Sequence, residues 1–442
     1  MQRRYNAAYV WTEEGLRPDW SVVVDEQSAQ IVAVAPRQET RARYPDAAET
    51  DWRECALLPG TVNVHAHAFQ HLARGRGVDQ PFLQWRDQAL YHITPHLDAH
   101  SLYLASKLAF VEMLRAGITT VAEFFYVHGD SLDNDRAVIQ AARDSGIRLA
   151  FARAFYDWQG APGPYRETID EAIRRTQTLA QEVAGDPRIS LQVAPHSLHG
   201  ASDDMIRQAY ALSRDLNVPC HIHVAEEQFE VDEVRARTGR TPVEHLRRLE
   251  VLGPHTIAVH LVWITPGDIE ILAQTRTQWA YCPSSNLFLA DGIAPLPQLV
   301  GHGITAGLGT DGGCSNNRSS IFEEMRMAAL VHKGYQRDAT VVNWPTVLEM
   351  GTSQGAQLLT VPAGIIAPGH LADFIGINLS DPSLIPWTPD TLLANVVYSM
   401  QPSAVQEVVV DGRPVVRDRA WQSGDQAALI QDVQTLVHTW QA

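Results

Sequence analysis

Histidine and acidic residues close several apolar segments of this sequence. His65 and His67 end the first such segment, and His223, His260 and Asp311 stand at the ends of later ones. Because alternate residues of a strand share a face, the imidazoles of His65 and His67 can reach one ion. Three imidazoles and one carboxylate suit Zn²⁺, with Fe²⁺ or Mn²⁺ as alternatives. We therefore predict a single divalent metal ion, held by His65, His67, His223 and Asp311.

Such a site would perform hydrolysis. A bound divalent cation lowers the pKa of water towards neutrality and thereby supplies hydroxide. Glu226 follows His223 by three residues and can carry protons between this water and a leaving nitrogen. His260 has two open roles, holding the water or polarising the substrate. The predicted catalytic residues are Glu226, His260 and Asp311, whereas His221 is as readily a core residue.

The elements that would position these residues alternate along the chain. Compact apolar segments are separated by longer amphipathic ones, and this alternation predicts an α/β fold, a (β/α)8 barrel of the TIM type. In such a barrel the active site lies at the carboxyl ends of the strands. The eight predicted strands are 58–65, 118–125, 148–155, 189–195, 218–224, 256–262, 278–282 and 304–309.

Shorter alternating segments lie at both ends of the chain. The turn Asp411-Gly412 between two apolar runs indicates a hairpin near the carboxyl end. We predict a small composite β-sandwich domain, built from residues 1–57 and from residues 363–442 with their terminal helix. It would flank a catalytic barrel of residues 58–362.

Composition excludes several classes of protein. The 442 residues are 45% hydrophobic and 19% charged, as is typical of globular chains. A formal net charge of −16 argues against nucleic acid or an anionic membrane as the main partner. Four cysteines without CxxC spacing argue against a disulfide framework. With no leader or membrane segment in the sequence, we predict a cytoplasmic protein whose partner is a small-molecule substrate.

The combined motif resembles the amidohydrolase superfamily, specifically its mononuclear aminohydrolase branch. This resemblance implies attack of hydroxide on an sp² carbon that bears nitrogen, with release of ammonia, and it also implies a homodimer. The fourth predicted strand lacks the lysine that bridges two metals in binuclear members, so one metal is implied. The motif consists of His65-Ala66-His67, His223-x-x-Glu226, His260 and Asp311.

Within this superfamily, the first half of the chain resembles N-formimidoylglutamate deiminase. The matching stretches are His65-Ala66-His67-Ala68-Phe69-Gln70, Trp85-Arg86 and Val121-Ala122-Glu123-Phe124-Phe125-Tyr126-Val127-His128. This likeness implies that Gln70, Arg86 and Tyr126 hold the carboxylates and the formimino group of a substrate. An arginine suits that task because its guanidinium binds a carboxylate through two parallel hydrogen bonds.

Three further residues complete the predicted substrate-binding set. His196 matches a histidine on the fourth strand that contacts substrate in these deaminases. Trp85 is either a wall of the substrate pocket or a packing residue. His199 stands where the formimidoylglutamate family carries an arginine, so one of two carboxylate contacts would be missing.

The second half resembles the triazine hydrolase, S-adenosylhomocysteine deaminase and related heterocycle deaminases. The likeness lies in Tyr281-Cys282-Pro283-Ser284-Ser285-Asn286-Leu287, in Gly309-Thr310-Asp311-Gly312-Gly313-Cys314-Ser315-Asn316-Asn317 and in Phe322-Glu323-Glu324-Met325-Arg326.

Three functions therefore stay open. We expect first a metal-dependent hydrolytic deaminase of a formimino-amino acid such as N-formimidoyl-glutamate. The alternative is a deaminase or chlorohydrolase of an amino-heterocycle, of the S-adenosylhomocysteine, adenosine, pterin, guanine or triazine type, and amide hydrolysis by the same site also stays open. A non-catalytic binding barrel is the third reading, against which the presence of Glu226 beside His223 argues.

Overall fold

The computed structural model describes residues 1–440, which form a barrel and a flanking sheet. The strands are β1 (Gln2–Thr12), β2 (Gly15–Pro18), β3 (Trp20–Asp25), β4 (Gln30–Pro36), β5 (Ala48–Pro59), β6 (Thr61–His67), β7 (Ile118–Phe125), β8 (Arg148–Phe155), β9 (Ile189–Pro195), β10 (Cys220–Val224), β11 (Thr256–His260), β12 (Gln278–Tyr281), β13 (Ala306–Leu308), β14 (Asp311–Gly312), β15 (Phe374–Asn378), β16 (Val405–Val410), β17 (Arg413–Arg417) and β18 (Ala420–Trp421).

Sixteen α-helices are present among these described residues. They are α1 (Arg37–Arg43), α2 (Phe82–Trp85), α3 (Ala99–Arg115), α4 (Asp133–Ser145), α5 (Ile169–Val183), α6 (Asp203–Leu216), α7 (Gln228–Thr238), α8 (Pro242–Arg248), α9 (Pro266–Thr275), α10 (Pro283–Phe288), α11 (Leu296–Gly301), α12 (Ile321–Gln336), α13 (Trp344–Met350), α14 (Ser353–Leu358), α15 (Leu392–Tyr398) and α16 (Gln426–Thr439).

A parallel sheet in the order β13-β12-β11-β10-β9-β8-β7-β6-β14 forms the barrel. Strands β7, β8 and β9 match their predicted ranges residue for residue. All eight residues of β7 and all eight of β8 are buried, because helices cover the sheet on one side and the barrel core fills the other. The predicted α/β barrel is confirmed.

The eighth strand differs from its prediction of 304–309 because it is divided into two pieces. Its first piece, β13, pairs with β12, and its second, β14, pairs with β6 and so closes the barrel. Gly309 lies between them, where a Cβ atom would stand only 2.8 Å from the Cβ of His65. The backbone then turns, and Asp311 takes a φ of 57°. This turn brings the Asp311 carboxylate to the mouth of the barrel.

The first barrel strand also differs from its predicted range. Leu58 and Pro59 belong to β5 of the other sheet, and β6 begins only at Thr61. Gly60 separates the two strands, and a side chain there would collide with Thr119. An apolar run continuous in sequence is thus divided between two sheets.

Helix ends follow local chemistry. Thr168 caps α5 in a reciprocal arrangement with Glu171, whose side chain accepts from the Thr168 backbone N–H. Gly146 ends α4 with a φ of 92°, in the left-handed conformation that glycine adopts readily. Helices α13 and α14 are separated at Gly351, where a Cβ atom would lie 2.2 Å from Met325.

The small domain joins both ends of the chain in one mixed sheet. Its path is β18-β17-β16-β15-β5-β1-β3-β4, with β2 paired to β1. The predicted hairpin at Asp411-Gly412 is present, and both residues have positive φ, as a two-residue hairpin turn requires. The Arg148 guanidinium of the barrel binds Asp373 beside this sheet at 2.6 and 3.1 Å. Within residues 1–440, none of the helices has the length and apolar character needed to cross a membrane.

Candidate active site

Five predicted residues converge where the barrel strands end. His65 and His67 lie on β6, His223 on β10, His260 ends β11 and Asp311 begins β14. All five side chains are buried. Parallel strands bring their carboxyl ends to one rim, so residues far apart in sequence meet there. The convergence that the sequence predicted is therefore present.

The imidazoles of His65, His67 and His223 form a compact group. Their ligand atoms all lie within 4.8 Å of one another. The Nε2 atoms of His65 and His223 are 3.2 Å apart. The Asp311 Oδ1 atom stands 3.5 Å from His65 Nε2 and 3.3 Å from His67 Nε2.

Backbone carbonyls fix the orientation of two of these rings. His67 Nδ1 donates to the Phe124 carbonyl at 2.6 Å, and His223 Nδ1 donates to the His196 carbonyl at 2.8 Å. Since a carbonyl can only accept, the hydrogen of each neutral ring is on Nδ1 and the Nε2 lone pair faces the group. Such contacts are the usual support for metal-binding histidines.

Burial keeps these rings neutral. Desolvation lowers the pKa of His67 to about 4 and lowers the pKa of His223 well below its ordinary value. Burial alone would raise the pKa of Asp311, but its hydrogen bond with His65 and its electrostatic interaction with the His67 ring hold that pKa well below its ordinary value. Ser285 Oγ donates to Asp311 Oδ2 at 2.6 Å. His67 and His223 therefore present neutral nitrogen donors beside an ionised carboxylate.

This donor set fits a divalent metal ion. The Nε2 atoms of His65 and His223 lie 3.2 Å apart, so one ion with zinc–nitrogen bonds of about 2.0–2.1 Å can contact both. Three neutral imidazoles and a carboxylate are the ligand types that zinc takes in catalytic sites. The residues present therefore fit the predicted metal through His65, His67, His223 and Asp311.

A second group lies beside the first and contains Glu226, His260 and Asp311, whose ligand atoms are also within 4.8 Å of one another. Glu226 Oε1 stands 3.4 Å from His260 Nε2. Burial, together with the nearby carboxylates of Asp291 and Asp311, raises the pKa of Glu226 well above its ordinary value. A carboxyl group so placed can take up and release a proton within hydrogen-bond reach of a substrate.

The pocket above these groups contains every predicted substrate-binding residue. It encloses about 680 Å³ of empty space, part of which is open to solvent. Its lining consists of His67, Gln70, Phe82, Trp85, Arg86, Leu90, Tyr91, Tyr126, Tyr156, Tyr165, His196, His199, His223, Glu226, Phe229, His260, Leu289 and Asp311. The individual roles of Gln70, Trp85, Arg86, Tyr126, His196 and His199 stay predictions.

Neighbouring groups hold several of these side chains in place. Gln70 Nε2 donates to the Tyr126 hydroxyl at 3.1 Å, and Gln70 Oε1 accepts from the Cys314 thiol at 3.2 Å. The indole of Trp85 donates to the Cys314 carbonyl at 2.9 Å and is 4% exposed. Trp85 is thus both a packing residue and part of the pocket wall.

The Arg86 guanidinium has local partners. It binds Asp87 at 2.8 Å and lies 4.7 Å from the ring centroid of Tyr91. Burial is the main cause that lowers the pKa of His199 to about 4, and the nearby charge of Arg86 lowers it further in the same direction. His199 is held from the other side by Ser197 Oγ, 3.2 Å from Nδ1.

His221 lies apart from the metal-binding group. Its Nε2 atom donates to Gln192 Oε1 at 2.5 Å, and the Gln192 amide donates to the Leu359 carbonyl. It is a buried core residue, one of the two readings that the sequence left open.

Sequence reasoning missed three buried residues that support the site. Ser285 binds Asp311, Asn286 contacts His260, and Asp291 contacts Asn286. A signal was present in the Ser284-Ser285-Asn286 segment that follows a barrel strand directly, where polar residues reach the rim.

Comparison with known proteins identifies relatives over nearly the whole chain. The model of the family described as "Amidohydrolase family" matches residues 56–415. The 5-methylthioadenosine/S-adenosylhomocysteine deaminase of Syntrophobacter fumaroxidans is 34% identical over 395 residues, which are 89% of this chain and 87% of that protein.

Two solved structures are closely similar to this chain. An adenosine deaminase from Xanthomonas campestris with bound zinc has a TM-score of 0.92 and 29% identity, over 99% of this chain and 98% of that chain. Atrazine chlorohydrolase from Arthrobacter aurescens TC1, complexed with zinc, has a TM-score of 0.91 and 21% identity, over 98% and 99% of the two chains. The second likeness concerns the fold alone.

Proposed function

The chain belongs to the amidohydrolase family, and on this premise we propose that it is a metal-dependent hydrolytic deaminase of an adenosine-type nucleoside. The observation that carries the proposal is the meeting of three imidazoles, the Asp311 carboxylate and the Glu226 carboxyl at the base of one pocket. Deamination of adenosine replaces an amino group on an sp² ring carbon by oxygen. This is the reaction for which that arrangement is suited.

We propose that His65, His67, His223 and Asp311 hold one divalent metal ion, most simply zinc, as in the Xanthomonas campestris deaminase. When bound, the ion supplies hydroxide at neutral pH and polarises the group that it faces. The contacts of His67 and His223 with backbone carbonyls aim their Nε2 atoms inward before any ion binds. Such preorganisation reduces the cost of binding the ion and fixes its position relative to Glu226.

Glu226 is the proposed proton carrier. Its carboxyl lines the pocket and stands within 4.8 Å of both His260 and Asp311. It would accept a proton as a carbon–oxygen bond forms and pass that proton to the departing amino nitrogen. The nitrogen then leaves as ammonia. His260 faces the same space and would hold the substrate or the attacking oxygen by a hydrogen bond.

The walls of the pocket suit a flat heteroaromatic ring. Seven of the lining side chains are aromatic rings of phenylalanine, tyrosine or tryptophan, and such rings stack on one another with centroids about 4.5–7 Å apart. They would hold a purine above the metal-binding group. These seven residues are Phe82, Trp85, Tyr91, Tyr126, Tyr156, Tyr165 and Phe229.

The comparisons favour this substrate class over the formimino-amino acid that the sequence suggested first. Both the Syntrophobacter fumaroxidans enzyme and the Xanthomonas campestris structure carry adenosine-type names. A formimino-amino acid stays the second candidate because the Arg86 guanidinium lines the pocket and could bind a carboxylate. Its pairing with Asp87 weakens that candidate.

Ammonia release from a panel of substrates tests the proposal. The panel contains adenosine, 5-methylthioadenosine, S-adenosylhomocysteine, N-formimidoyl-glutamate, guanine, a pterin and a chlorotriazine, each with zinc-loaded protein. We expect turnover of at least one adenosine-type nucleoside, with conversion of its base to the hypoxanthine form. Ammonia from N-formimidoyl-glutamate alone would transfer the assignment to the second candidate. Amide or C–Cl turnover without ammonia would refute deamination, and silence across all substrates would favour a binding protein.

A further inference from the structure

The ring of His260 is contacted at both nitrogen atoms. Asn286 Nδ2 lies 3.0 Å from His260 Nδ1, and Glu226 Oε1 lies 3.4 Å from His260 Nε2. The same Asn286 nitrogen lies 3.0 Å from Asp291 Oδ2. An amide nitrogen only donates, so its two hydrogens serve an oxygen of the Asp291 carboxyl group on one side and the imidazole on the other. His260 Nδ1 is consequently an acceptor.

One loop builds this chain of contacts. Asn286 lies in α10, directly after β12, and the backbone N–H of Asp291 donates to the Asn286 carbonyl at 2.9 Å. Asn286, Asp291 and His260 are each 1% exposed, so water does not compete for these hydrogen bonds. His260 itself ends β11 with a φ of 75°, a backbone conformation that the surrounding contacts must maintain.

We propose that Asn286 and Asp291 are positioning residues that hold His260 in the tautomer with its hydrogen on Nε2. His260 then presents a hydrogen-bond donor to the pocket. In this state it is neither a metal ligand through Nε2 nor a base, which leaves Glu226 as the proton carrier. This inference rests on the proposed deaminase function, because it concerns how the same pocket holds oxygen during the reaction.

The two residues permit an exchange experiment. In Asn286→Asp alone, the side chain loses its amide N–H donors while it still faces both His260 and the Asp291 carboxyl group. Combining Asn286→Asp with Asp291→Asn restores an amide–carboxylate pair, but now the carboxylate is at position 286 and the amide is at position 291. The carboxylate next to the ring would then accept from Nδ1, which moves the imidazole hydrogen from Nε2 to Nδ1.

The expected results separate a structural role from tautomer control. The single variant should have a lower melting temperature, and the double variant should recover most of it. With a nucleoside that the wild type deaminates, kcat of the double variant should stay about 10²-fold below wild type, as when one preorganised donor is lost. KM and zinc content should change less than threefold. Recovery of kcat together with stability would overturn the proposal.

Nitrogen-15 spectroscopy of histidine-labelled, zinc-loaded protein reads the tautomer without any substrate. The resonances of His260 are identified by their loss in His260→Gln. We expect the hydrogen on Nε2 in wild type and on Nδ1 in the double variant. If Asp291 is protonated and the Asn286 amide is reversed, the hydrogen of the wild-type ring would lie on Nδ1. That result would overturn the proposal. The wild-type reading, assigned with His260→Gln, stands even if the chain deaminates no nucleoside or the Asn286 and Asp291 variants do not fold.

Asn395→Asp is the matched control. The Asn395 amide donates to the carbonyls of Leu384 and Pro386, at 2.9 Å each, in a part of the chain that does not line the pocket. The substitution removes an amide donor of the same kind. It should lower the melting temperature while leaving kcat and the His260 tautomer as in wild type. A comparable loss of kcat in this control would assign the effect of Asn286→Asp to general destabilisation.

Discussion

The guanidinium of Arg153 makes two parallel hydrogen bonds, each of 2.8 Å, to the carboxylate of Glu167 in the interior of the protein. Arg153 lies on β8, and Glu167 ends the loop that carries Tyr156 and Tyr165 of the pocket wall. Asp135 binds the same guanidinium at 2.9 Å. A buried pair of this kind fixes a loop in one arrangement, and removal of one partner leaves the other charge without compensation.

Glu167 makes stability depend on pH. Burial alone would raise its pKa, but His128 and Arg153 lower it from 4.5 to about 2. A folded-state pKa below the unfolded value gives stability that is complete above pH 4.5 and is lost as the pH falls towards 2. This shift corresponds to about 3 kcal/mol. Glu167→Gln should lower the free energy of unfolding at pH 7 by roughly that amount, and the difference from wild type should shrink below pH 4.5.

Chemical denaturation at pH 7, 4.5 and 3 measures this difference. Glu233→Gln, at an exposed position on α7, is the control and should match wild type at each pH. A difference between Glu167→Gln and wild type that does not depend on pH would contradict the assignment.

Replacing the proposed proton carrier should separate metal binding from turnover. Glu226→Gln keeps the shape of the side chain but cannot accept a proton. We expect kcat to fall by about 10²–10⁴-fold, the usual contribution of a general acid–base group. Zinc content, measured by atomic emission, should equal that of wild type. Unchanged turnover would remove Glu226 from the mechanism.

Removal of the metal is the direct check on the four proposed ligands. Chelation should abolish ammonia release, and one equivalent of zinc should restore it. Because the ion binds the folded state, its removal should also lower the melting temperature. His223→Ala should bind zinc much more weakly than His221→Ala, whose ring contacts Gln192 instead. Full activity in verified metal-free protein would contradict the account.

Ser285 should tune the affinity for the metal through Asp311. Its hydroxyl donates to Asp311 Oδ2 at 2.6 Å, so Ser285→Ala removes a contact that orients a ligand. Loss of such a contact typically weakens metal binding 10- to 100-fold. Competition with a chelator of known affinity measures the change, with Ser284→Ala beside it as the control. Equal affinity in the two variants would show that the hydroxyl has no such role.

Arg86 should discriminate between the two substrate classes. For a formimino-amino acid, Arg86→Met should reduce kcat/KM by about 10- to 100-fold, since a charge-assisted bond of 1.5–3 kcal/mol is lost. For adenosine it should change kcat/KM less than threefold. Arg207→Met, at an exposed position of α6, provides the control, because the only ion pair of Arg207 within residues 1–440 is with Asp204. A large loss with adenosine would place the nucleoside against the guanidinium.

The barrel could be predicted from sequence because its strands are short apolar runs between amphipathic helices. Strands β7 to β9 are set by burial on both faces, and their limits agree with the predicted ranges. The interruption at Gly309 could not be foreseen, because it arises from contact with His65, more than two hundred residues earlier in the chain. Likewise, the Pro59-Gly60 pair in the run 57–65 marks a break, but it does not indicate that the chain passes from one sheet to another there.

The same distinction applies to the site. The metal-binding group could be predicted because each member stands at or near the carboxyl end of an apolar segment, and the ends of barrel strands share a rim. Asn286 lies in the short helix α10 and Asp291 in the loop that follows it, where position depends on tertiary contacts rather than on periodicity. The direction of their hydrogen bonds to His260 is visible only in three dimensions. The substrate class was left open because neither side chain selects a ligand by itself. The His199 ring is neutral and contacts Ser197, and the Arg86 guanidinium pairs with Asp87.

The pairing of β5 with β15 has a consequence for biosynthesis. Leu58 lies opposite Ile375, so one edge of β5 meets its partner only after most of the polypeptide has been made. During translation, this hydrogen-bonding edge leaves the ribosome long before the segment that covers it, and the nascent chain must avoid association with its neighbours in the interval. Completion of the small domain is thus a late, post-translational event, and protection of the emerging chain by chaperones would act on this edge first.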